Sequence, residues 1–495
     1  MIAFLFLIFC FGLSLYLYLT WNFDYWERRG VVGPRPRPYV GTFPKTALLD
    51  KSSNYINETS EIFRKYYRNH RFIGVFEHRE PKLMILDPAL VVDVYVKYFK
   101  HFSDNSMSET VHAKQDPLFK SNPFIETGAE WKERRTDMAP AFTMLRVKAM
   151  FPAMEVSCHK LVDYLNKLLE SGQDVIASKD IASRVTADIL CTNMYGLDPK
   201  AFCNDSDFLH HSLRLFHNVP VFRSIMWKIF PILDRILPSQ SVATEFNDWF
   251  VRLYRMAVEL RQKNGIGGDD FLNFLMELEK KKNLQTIASV ANAFIFFLDG
   301  FETTSYMLGC AINELAKNKV CQQKLRSEVK SLKGRGIDDL NQMPYLDAVV
   351  NETTRISPFP FPIWKTCTEN IVLTDYNGRT VQIDKGTKII LPTTALHHHP
   401  DFYVDSNEFN PDRFISNASD AKILKDAGVF APFGNGPRTC MGMRWAVLLI
   451  KSVLSELVDK FEMSVHVNSS DKPSSQTGML FFSGNDVVLE LKRLE

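Results

Sequence analysis

The sequence lacks any Cys-x-x-Cys pair, although it contains eight cysteines. Zinc sites and small disulfide-bonded folds depend on closely spaced cysteines, so neither class is indicated. Scattered cysteines are instead typical of a chain that faces a reducing compartment. They are Cys10, Cys158, Cys191, Cys203, Cys310, Cys321, Cys367 and Cys440.

Nucleotide-binding loops are missing as well. No Gly-x-Gly-x-x-Gly follows a predicted strand, and no phosphate-binding loop that ends in Gly-Lys-Ser/Thr occurs. Such loops bind pyrophosphate groups through backbone amides at helix N-termini. The chain therefore has no visible site of its own for a nicotinamide or a flavin, and redox chemistry would need electrons from a partner protein.

An excess of one charge sign is also absent. The 59 Lys and Arg residues nearly balance the 57 Asp and Glu residues, and the net charge of +2 argues against a dedicated nucleic-acid binder. No repeat of about 20 to 50 residues indicates a solenoid. What the chain does have is 495 residues, 45% of them apolar, with 38 phenylalanines. This composition predicts a large core, and a minority of the phenylalanines is expected to line an apolar substrate cavity.

The N-terminal segment carries no charged side chain before Asp24. Residues 1–22 are predicted to form a membrane anchor, because about 20 apolar residues span a bilayer. A cleaved signal peptide is the alternative, but a basic n-region and a small-x-small cleavage site are lacking. The positive-inside rule places the rest of the chain in the cytoplasm, because four arginines follow the apolar run. These are Arg28, Arg29, Arg35 and Arg37.

Alternating prolines come next, in the run Gly33-Pro-Arg-Pro-Arg-Pro38. They stop a helix and stiffen the chain, so residues 23–42 are interpreted as a Pro-rich hinge, with an ordinary loop as the alternative. From residue 43 to residue 495 no linker rich in Gly, Ser or Pro divides the chain. This part is predicted to be one catalytic domain.

Hydrophobic periodicity predicts a mainly α fold with small β-sheets. Helical patterns cover Met144–Ser171, Asp180–Tyr195, Thr244–Lys263, Asp270–Lys281, Leu284–Lys317, Lys319–Leu332 and Tyr345–Ile356. Short β-type runs lie at Lys82–Leu86, Ile371–Leu373, Thr380–Ile383 and Lys388–Leu391.

Cys440 lies in the run Phe433-Gly-Asn-Gly-Pro-Arg-Thr-Cys-Met-Gly442, directly before an amphipathic stretch from Met443 to Phe461. A helix N-terminus favours negative charge, so this sulfur is predicted to be biased toward thiolate. Arg438 is well placed to bind an anionic group beside it. A thiolate and an anion-binding Arg in one loop suit a haem, as axial ligand and propionate clamp. A buried structural cysteine is the alternative.

The pattern Phe-x-x-Gly-x-Arg-x-Cys-x-Gly is met at every fixed position. In this the chain resembles the cytochrome P450 superfamily, and it is most similar to microsomal insect P450s that metabolise xenobiotics and hormones. The resemblance implies the cytochrome P450 fold and haem b as cofactor. It implies that Cys440 is the axial ligand of the haem iron, and that Phe433, Arg438 and Gly442 contact the cofactor.

Two further motifs belong together. Glu352 and Arg355 form Glu-x-x-Arg, and a spacing of three puts both on one helix face within ion-pair reach. The run Phe409-Asn-Pro-Asp-Arg-Phe414 is similar to the family's Pro-Glu-Arg-Phe element, with Asp412 in place of the usual Glu. The resemblance implies that Glu352, Arg355 and Arg413 form a buried structural triad that holds the cysteine loop.

The run Asp299-Gly-Phe-Glu-Thr-Thr304 within Leu284–Lys317 is similar to the family's oxygen-binding element. The resemblance implies that Thr303 and Glu302 are catalytic and relay protons. It implies that Gly300 lets the helix lie against the haem and kink there. Asp299 replaces the usual Ala, and either narrows the pocket or contacts substrate.

Four more cofactor contacts are predicted. Trp131 and Arg135 form Trp-x-x-x-Arg, and one helical turn apart both can reach a propionate. The resemblance implies the same for Lys365 and His397. Three consecutive histidines, His397 to His399, raise a zinc site as an alternative. It is disfavoured, because adjacent residues cannot all face one tetrahedral ion without strain.

The resemblance implies monooxygenation of lipophilic substrates, which include insecticides, plant toxins, hormones and lipids. NADPH–cytochrome P450 reductase would supply electrons, with cytochrome b5 as a further candidate partner, at the endoplasmic reticulum membrane. The alternatives are a haem-thiolate isomerase or dehydratase, which tends to lose the acid–Thr pair, and a non-catalytic haem-binding sensor or carrier. Substrate contacts are implied for Phe294, Phe297, Leu298, Phe361 and Phe481.

Two surfaces have open interpretations. The apolar segment Val219–Leu237 is interpreted either as core or, as the family implies, as a cover of the substrate entrance that dips into the membrane. A basic patch is either a docking site for an acidic reductase or ordinary solvated surface. Its residues are Lys132, Arg134, Lys422, Lys425 and Arg444.

Overall fold

Helices make up most of the structure, a computed structural model, and small sheets accompany them. The structure describes residues 1–47, 55–215, 226–227, 229–230, 232–237, 240–264, 270–283, 286–332, 334–358, 363–415, 420–469 and 487–494. The prediction of a mainly α fold with small β-sheets is confirmed.

The helices follow one another along the whole chain. The N-terminal half contains α1 (Ile2–Thr20), α2 (Tyr25–Arg28), α3 (Pro44–Ala47), α4 (Tyr55–Tyr66), α5 (Pro88–Tyr95), α6 (Pro117–Lys120), α7 (Gly128–Met138), α8 (Met144–Glu170), α9 (Ser178–Tyr195), α10 (Asp207–Ser212) and α11 (Ile232–Ile236). The C-terminal half contains α12 (Thr244–Asn264), α13 (Phe271–Lys282), α14 (Thr286–Lys317), α15 (Lys319–Ser331), α16 (Ile337–Leu340), α17 (Pro344–Ile356), α18 (Thr393–His397), α19 (Asp420–Asp426) and α20 (Met443–Lys460).

The strands form three sheets within the described residues. They are β1 (Phe72–Glu77), β2 (Glu80–Ile85), β3 (Asp104–Asn105), β4 (Val175–Ala177), β5 (Ile363–Thr366), β6 (Ile371–Thr374), β7 (Thr380–Ile383), β8 (Lys388–Leu391), β9 (Phe461–Val465) and β10 (Val488–Arg493). The largest sheet has the order β1-β2-β8-β5-β3, in which β2 and β8 run parallel and the other neighbours antiparallel. The other sheets are β4-β10-β9 and β6-β7.

The helical patterns agree with the helices to within two residues at each described end. The four β-type runs correspond to β2, β6, β7 and β8. Strands β1, β3, β4, β5, β9 and β10 were not among the predicted runs. Strand β1 pairs with β2, and β10 pairs with β9 and with β4, which is distant in the sequence. A short local pattern does not specify such pairing.

Helix α14 lies in the main core. It is apolar on most of its faces, and a helix that is apolar all round is stable only when other elements surround it. Phe294 and Phe297 on α14 are fully buried. The Tyr195 hydroxyl at the end of α9 donates to the Ala293 carbonyl (3.0 Å), which fixes α9 beside α14. The cavity described below is walled in part by this helix.

The segment after α1 packs on the largest sheet. Trp26 is 3% exposed, and its indole N–H donates to the Val75 carbonyl of β1 (3.2 Å). A Cβ at Gly74 would lie 2.2 Å from the Trp26 ring, so only glycine lets the ring approach β1 this closely. The predicted hinge thus begins with residues that belong to the folded body. The domain boundaries at residues 22 and 42 stay predictions.

Helix α1 itself is exposed. It has a mean hydropathy of 2.4, none of its residues is buried, and it is the one described helix long and apolar enough to cross a membrane. Its end is near the segment that contains α11, because the Tyr18 hydroxyl donates to the Ile229 carbonyl (3.1 Å). Ile232, Ile236 and Leu237 are exposed, which disfavours the core interpretation of this segment; parts of Val219–Leu237 lie outside the described residues.

Candidate active site

The loop before α20 holds Cys440 in place. The Cys440 N–H donates to the Phe433 carbonyl (3.0 Å), and a 3-10 turn spans Gly436–Arg438. Gly436 has a φ of +66°, and a Cβ there would lie 2.2 Å from the carbonyl oxygen of Tyr95. Glycine is therefore required for this loop to approach the end of α5.

Cys440 faces a cavity of about 350 Å³. The accessible surface of its side chain opens into this cavity, and protein surrounds the residue on all other sides. Phe119, Ile125 and Phe296 are typical of the largely apolar wall. The predicted site residues that line the cavity are Trp131, Arg135, Leu298, Gly300, Glu302, Thr303, Lys365, Phe433, Arg438, Cys440 and Gly442.

Burial is the largest influence on the acidity of the Cys440 thiol. Burial raises its pKa to about 11, and this outweighs the backbone N–H groups of Gly442 and Met443, which lower it. The predicted bias toward thiolate is therefore not found, because desolvation exceeds the effect of the helix N-terminus. A cation bound to the sulfur would reverse this balance, since thiols deprotonate on binding metal.

Arg438 both faces the cavity and fastens the cysteine loop. Its guanidinium donates to the carbonyls of Pro123 (2.7 Å) and Glu126 (2.9 Å), and pairs with Asp104 (3.2 Å). It lies 4.2 Å from the ring centroid of Trp131, a cation–π contact. Burial lowers the pKa of Arg438 to about 10.

Lys365 and Arg135 add two cations to the same wall. Lys365 is 2% exposed, and burial lowers its pKa to about 7, with repulsion from Arg438 adding to the effect. Burial also lowers the pKa of Arg135. Among the described residues, neither Lys365 nor Arg135 forms a side-chain hydrogen bond or an ion pair. An anion in the cavity would therefore lower the cost of burying both positive charges.

This arrangement fits a haem. The cationic wall of Arg135, Lys365 and Arg438 suits its propionates, and the thiol of Cys440 suits its iron. Without an anionic group the unpaired ammonium of Lys365 would be a costly feature of the interior. The thiol of Cys440 and the unpaired cations in the cavity wall thus both indicate a haem.

Helix α14 supplies the acid–alcohol pair. Burial raises the pKa of Glu302 to about 7, and the Thr303 hydroxyl donates to the Asp299 carbonyl one turn earlier. The helix stays α-helical through Gly300. A Cβ at Gly300 would lie 3.0 Å from Leu190 Cδ1, so this glycine also allows close packing of α14 on α9.

Asp299 has a partner that sequence reasoning missed. The Asn122 side-chain amide donates to Asp299 Oδ1 (2.8 Å), and both residues line the cavity. Burial raises the pKa of Asp299 to about 7, while the Asn122 hydrogen bond lowers it. The departure from the usual Ala at residue 299 was visible in the sequence, but nothing there pointed to a partner in the loop after α6.

The triad lies behind the cysteine loop. Arg355 binds Glu352 through two hydrogen bonds (2.7 and 2.8 Å), and Arg413 binds the same carboxylate (3.0 Å). Glu352 and Arg355 are fully buried, and Arg355 also donates to the His397 carbonyl (2.8 Å). Asp412 instead faces Lys324 at the surface (2.6 Å), which explains why Asp replaces Glu there without harm to the triad.

His397 does not line the cavity formed by the described residues. Its Nε2 accepts a hydrogen bond from the Ala431 N–H (3.1 Å), at the start of the cysteine loop. Burial lowers the pKa of His397 to about 3, so the ring is neutral and can accept this bond. The described structure thus shows support of the loop by His397, and its direct cofactor contact stays a prediction.

The predicted substrate residues divide into three groups. Leu298 lines the cavity. Phe294 and Phe297 do not line it within the described structure, and pack in the core against the rings of Phe246 and Phe250. The helix periodicity allowed either direction, and the neighbouring α12 determines that these rings turn away. Phe361 and Phe481 lie outside the described residues.

Comparison with known proteins agrees with this site. A family model described as Cytochrome P450 matches residues 31–488. The chain is similar to Probable cytochrome P450 28a5 of Drosophila melanogaster, with 34% identity over 493 residues and 97% of both chains covered. It is similar to Cytochrome P450 6j1 of Blattella germanica, with 31% identity over 466 residues, 91% of this chain and 90% of that protein.

Probable cytochrome P450 28d1 of Drosophila melanogaster is a further relative, 32% identical over 459 residues with 91% of both chains covered. The family model thus spans most of the chain, and insect relatives align along nearly its whole length. The resemblance drawn from the cysteine loop is confirmed. The chain belongs to the cytochrome P450 family and is a haem-thiolate monooxygenase.

Proposed function

We propose that this protein is a membrane-anchored monooxygenase of lipophilic compounds that receives electrons from NADPH–cytochrome P450 reductase. A substrate R–H and O2, with two electrons and two protons, give R–OH and water. The observation that carries the proposal is that the Cys440 thiol and the Glu302–Thr303 pair face one largely apolar cavity. Xenobiotics such as insecticides and plant toxins, or hormones and other lipids, are the substrates in view.

Haem b is the proposed cofactor, and the chain's own residues would hold it. Cys440 would ligate the iron through its sulfur, and Phe433 and Gly442 would shape the loop around that sulfur. Trp131, Arg135, Lys365 and Arg438 would hold the propionates. When bound, the haem supplies the site at which dioxygen is reduced and oxygen is transferred.

Glu302 and Thr303 are proposed to deliver the protons. A carboxyl group with a pKa of about 7 is protonated in a large fraction of molecules at neutral pH, so it can release a proton when one is needed. Thr303 places a hydroxyl in the same cavity, and this hydroxyl can pass a proton on or hold a water molecule. Because a haem-thiolate isomerase needs no such pair, its presence favours monooxygenation.

The apolar wall would exclude water and select lipophilic substrates. Leu298 is the predicted substrate residue that this wall supports. Helix α1 is the proposed anchor in the endoplasmic reticulum membrane, with the catalytic domain in the cytoplasm. The exposed apolar side chains Ile232, Ile236 and Leu237 lie in the segment that contacts the end of α1, which supports contact of this segment with the membrane surface.

The reductase is proposed to dock on the basic patch named from the sequence, with cytochrome b5 as an additional donor. Lys132 and Arg444 are exposed. Arg134 is held by Glu126 (2.8 Å), so it contributes less than its position in the sequence suggested. Docking of this kind depends on ionic strength, because exposed charges are screened by salt.

The test replaces the sulfur. Cys440→Ser is expected to lose the thiolate-type carbon monoxide spectrum and NADPH-dependent product formation with purified reductase. Cys367→Ser is the matched control, because Cys367 is buried beside the largest sheet and away from the cavity. Persistence of the thiolate-type spectrum in Cys440→Ser would contradict the proposal. A parent protein that binds haem but oxidises no lipophilic probe would favour the non-catalytic carrier.

A further inference from the structure

A further carboxyl group lines the cavity beside the catalytic pair. Asp299 lies one helical turn before Thr303 on α14, and its side chain is exposed to the cavity. Protein surrounds it otherwise, since its carboxyl group is shielded from bulk solvent. A carboxyl group in such a place is costly unless donors satisfy it.

Asn122 forms a hydrogen bond with one of the two carboxyl oxygens of Asp299, and its own orientation is fixed. Its Oδ1 accepts a hydrogen bond from the Phe124 N–H (2.7 Å), and its Nδ2 donates to Asp299 Oδ1 (2.8 Å). A backbone N–H can only donate, so the amide oxygen must face Phe124 and the NH2 group must face Asp299. Asn122 is 1% exposed, and its own carbonyl accepts from the N–H groups of Ile125 and Glu126 (both 2.8 Å).

The other half of the carboxyl group is open. Asp299 Oδ2 makes no hydrogen bond with the residues that the structure describes. If the only task of Asp299 were to join α14 to the loop after α6, a neutral amide or hydroxyl would serve at a lower desolvation cost. A second oxygen directed at an apolar cavity is instead suited to a ligand that brings its own hydrogen-bond donor.

We propose that Asp299, positioned by Asn122, selects substrates that carry a hydroxyl group on an otherwise apolar skeleton. The inference rests on the proposed monooxygenase function and names the substrate class of that site. A hydroxyl group donates to an ionised carboxylate and accepts from a neutral carboxylic acid, so it pairs with Asp299 in either form. A site built to bind such a group discriminates strongly against analogues that lack it, because its own polar atom is then left unpaired.

The test compares two ligands that differ in one donor. Borneol and its methyl ether share the same apolar skeleton, and only the alcohol can donate a hydrogen bond. Their affinities for the full-length haem-loaded protein are measured by calorimetry. At about pH 8.5, where most Asp299 carboxyl groups are ionised and can only accept, the parent is expected to bind borneol about tenfold more tightly than the ether, the typical weight of one hydrogen bond to a buried charged group.

The variant Asp299→Asn distinguishes the effect of the hydrogen bond from a steric effect of the extra methyl group of the ether. Asn122 still presents its NH2 group, so the new amide must turn its oxygen toward Asn122 and its own NH2 toward the cavity. The cavity then offers a donor in place of an acceptor. The preference for borneol is expected to fall to about unity or to reverse in favour of the ether, because both ligands can accept.

Asp188→Asn is the matched control, because Asp188 is a buried acid on α9 that pairs with Ser157 (2.6 Å) away from the cavity. It should keep the parental preference. Equal preference in the parent and in Asp299→Asn, or no preference in the parent, would overturn the inference. The ratio of the two affinities is measured without turnover, so this result is independent of the Cys440→Ser test. Failure of the proposed monooxygenase function and failure of the proposed hydroxyl preference can therefore be distinguished.

Discussion

Burial determines the chemistry of the charged residues that face the cavity. Glu302 is drawn toward its neutral form, with a pKa raised to about 7, and Lys365 is drawn the same way, with a pKa lowered to about 7. Each shift follows from the loss of water around a charge. The acid is thereby suited to hold a proton near neutral pH, whereas the amine of Lys365 would be held in its charged form by an anion such as a haem propionate.

Replacement of Glu302 by Gln should reduce turnover and change the pH dependence of stability. The folded-state pKa of about 7 lies above the ordinary value of 4.5, so the stabilising contribution of the bound proton is complete below about pH 4.5. It is lost as the pH rises through about 7. Glu302→Gln should therefore gain about 1 to 3 kcal/mol relative to the parent between pH 5 and pH 8. Thermal unfolding at both pH values measures this.

The same variant should lose about 100-fold in turnover number, because it has no proton to give. Glu302→Asp is the control, since it keeps an acid at this place and should retain part of the activity. An unchanged turnover number in Glu302→Gln would show that protons reach the cavity by another route.

Gly436 provides a second test at the residue scale. Gly436→Ala must strain a left-handed backbone and also meet the Tyr95 carbonyl oxygen, whereas Gly378→Ala has the same strain with open space around the Cβ. We expect Gly378→Ala to cost about 1 kcal/mol and Gly436→Ala clearly more. Only Gly436→Ala should lower the haem content, because only Gly436 belongs to the cysteine loop. Similar unfolding midpoints and haem content in both variants would refute the steric argument.

At the scale of elements, the buried triad joins parts that are distant in the sequence. Glu352 on α17 binds both Arg355 on the same helix and Arg413 in the turn Pro411–Phe414, and Arg355 also reaches the end of α18. His397, at that end of α18, in turn holds Ala431 at the start of the cysteine loop. The position of the thiol is therefore linked to a charged network that never faces the cavity.

Glu352→Gln should destabilise the protein by about 3 to 5 kcal/mol, because it leaves the charge of Arg355 buried without its partner. Haem content should fall with stability, measured by absorbance per chain after purification. Asp412→Asn is the control: its pair with Lys324 is half exposed, and its loss should cost less than about 1 kcal/mol. Equal effects of the two changes would mean that the triad has no special role.

At the scale of the whole molecule, the candidate membrane helix α1 and the folded body meet within a few residues. Helix α1 buries none of its side chains, whereas Trp26 is almost completely buried on β1. The exposed apolar surface of α1 is far larger than water-soluble chains present, and the bilayer is the proposed partner for it. The residues from Trp26 onward are needed for the fold itself.

Two truncations should separate these roles. Deletion of residues 2–17 should release much of the protein from membranes while its thermal midpoint stays close to that of the parent. Deletion of residues 2–33 removes Trp26 as well and should lower stability by about 3 to 5 kcal/mol, the cost of losing a buried Trp. Trp26→Ala in the full chain should reproduce the loss of stability with membrane binding intact. A stable product from the longer deletion would contradict this division.

Much of this protein could be predicted from local patterns. The long helices from Met144 onward follow from apolar periodicity, which one element contains within itself. The cysteine loop and the pairing of Glu352 with Arg355 follow from residues a few positions apart. In each case the forces act within one segment or one turn, so the sequence already contains both partners.

Contacts between distant segments were decided only by the tertiary structure. Phe294 and Phe297 turn into the core because α12 packs there, His397 supports the loop instead of lining the cavity, and Asn122 reaches Asp299. The pKa values of Cys440 and Lys365 depend on how much water the whole fold excludes. The sequence by itself determined where the long helices form and which residues are candidates for the chemistry; the direction of each side chain and the state of each charge arose from packing, because burial is a property of all surrounding segments together.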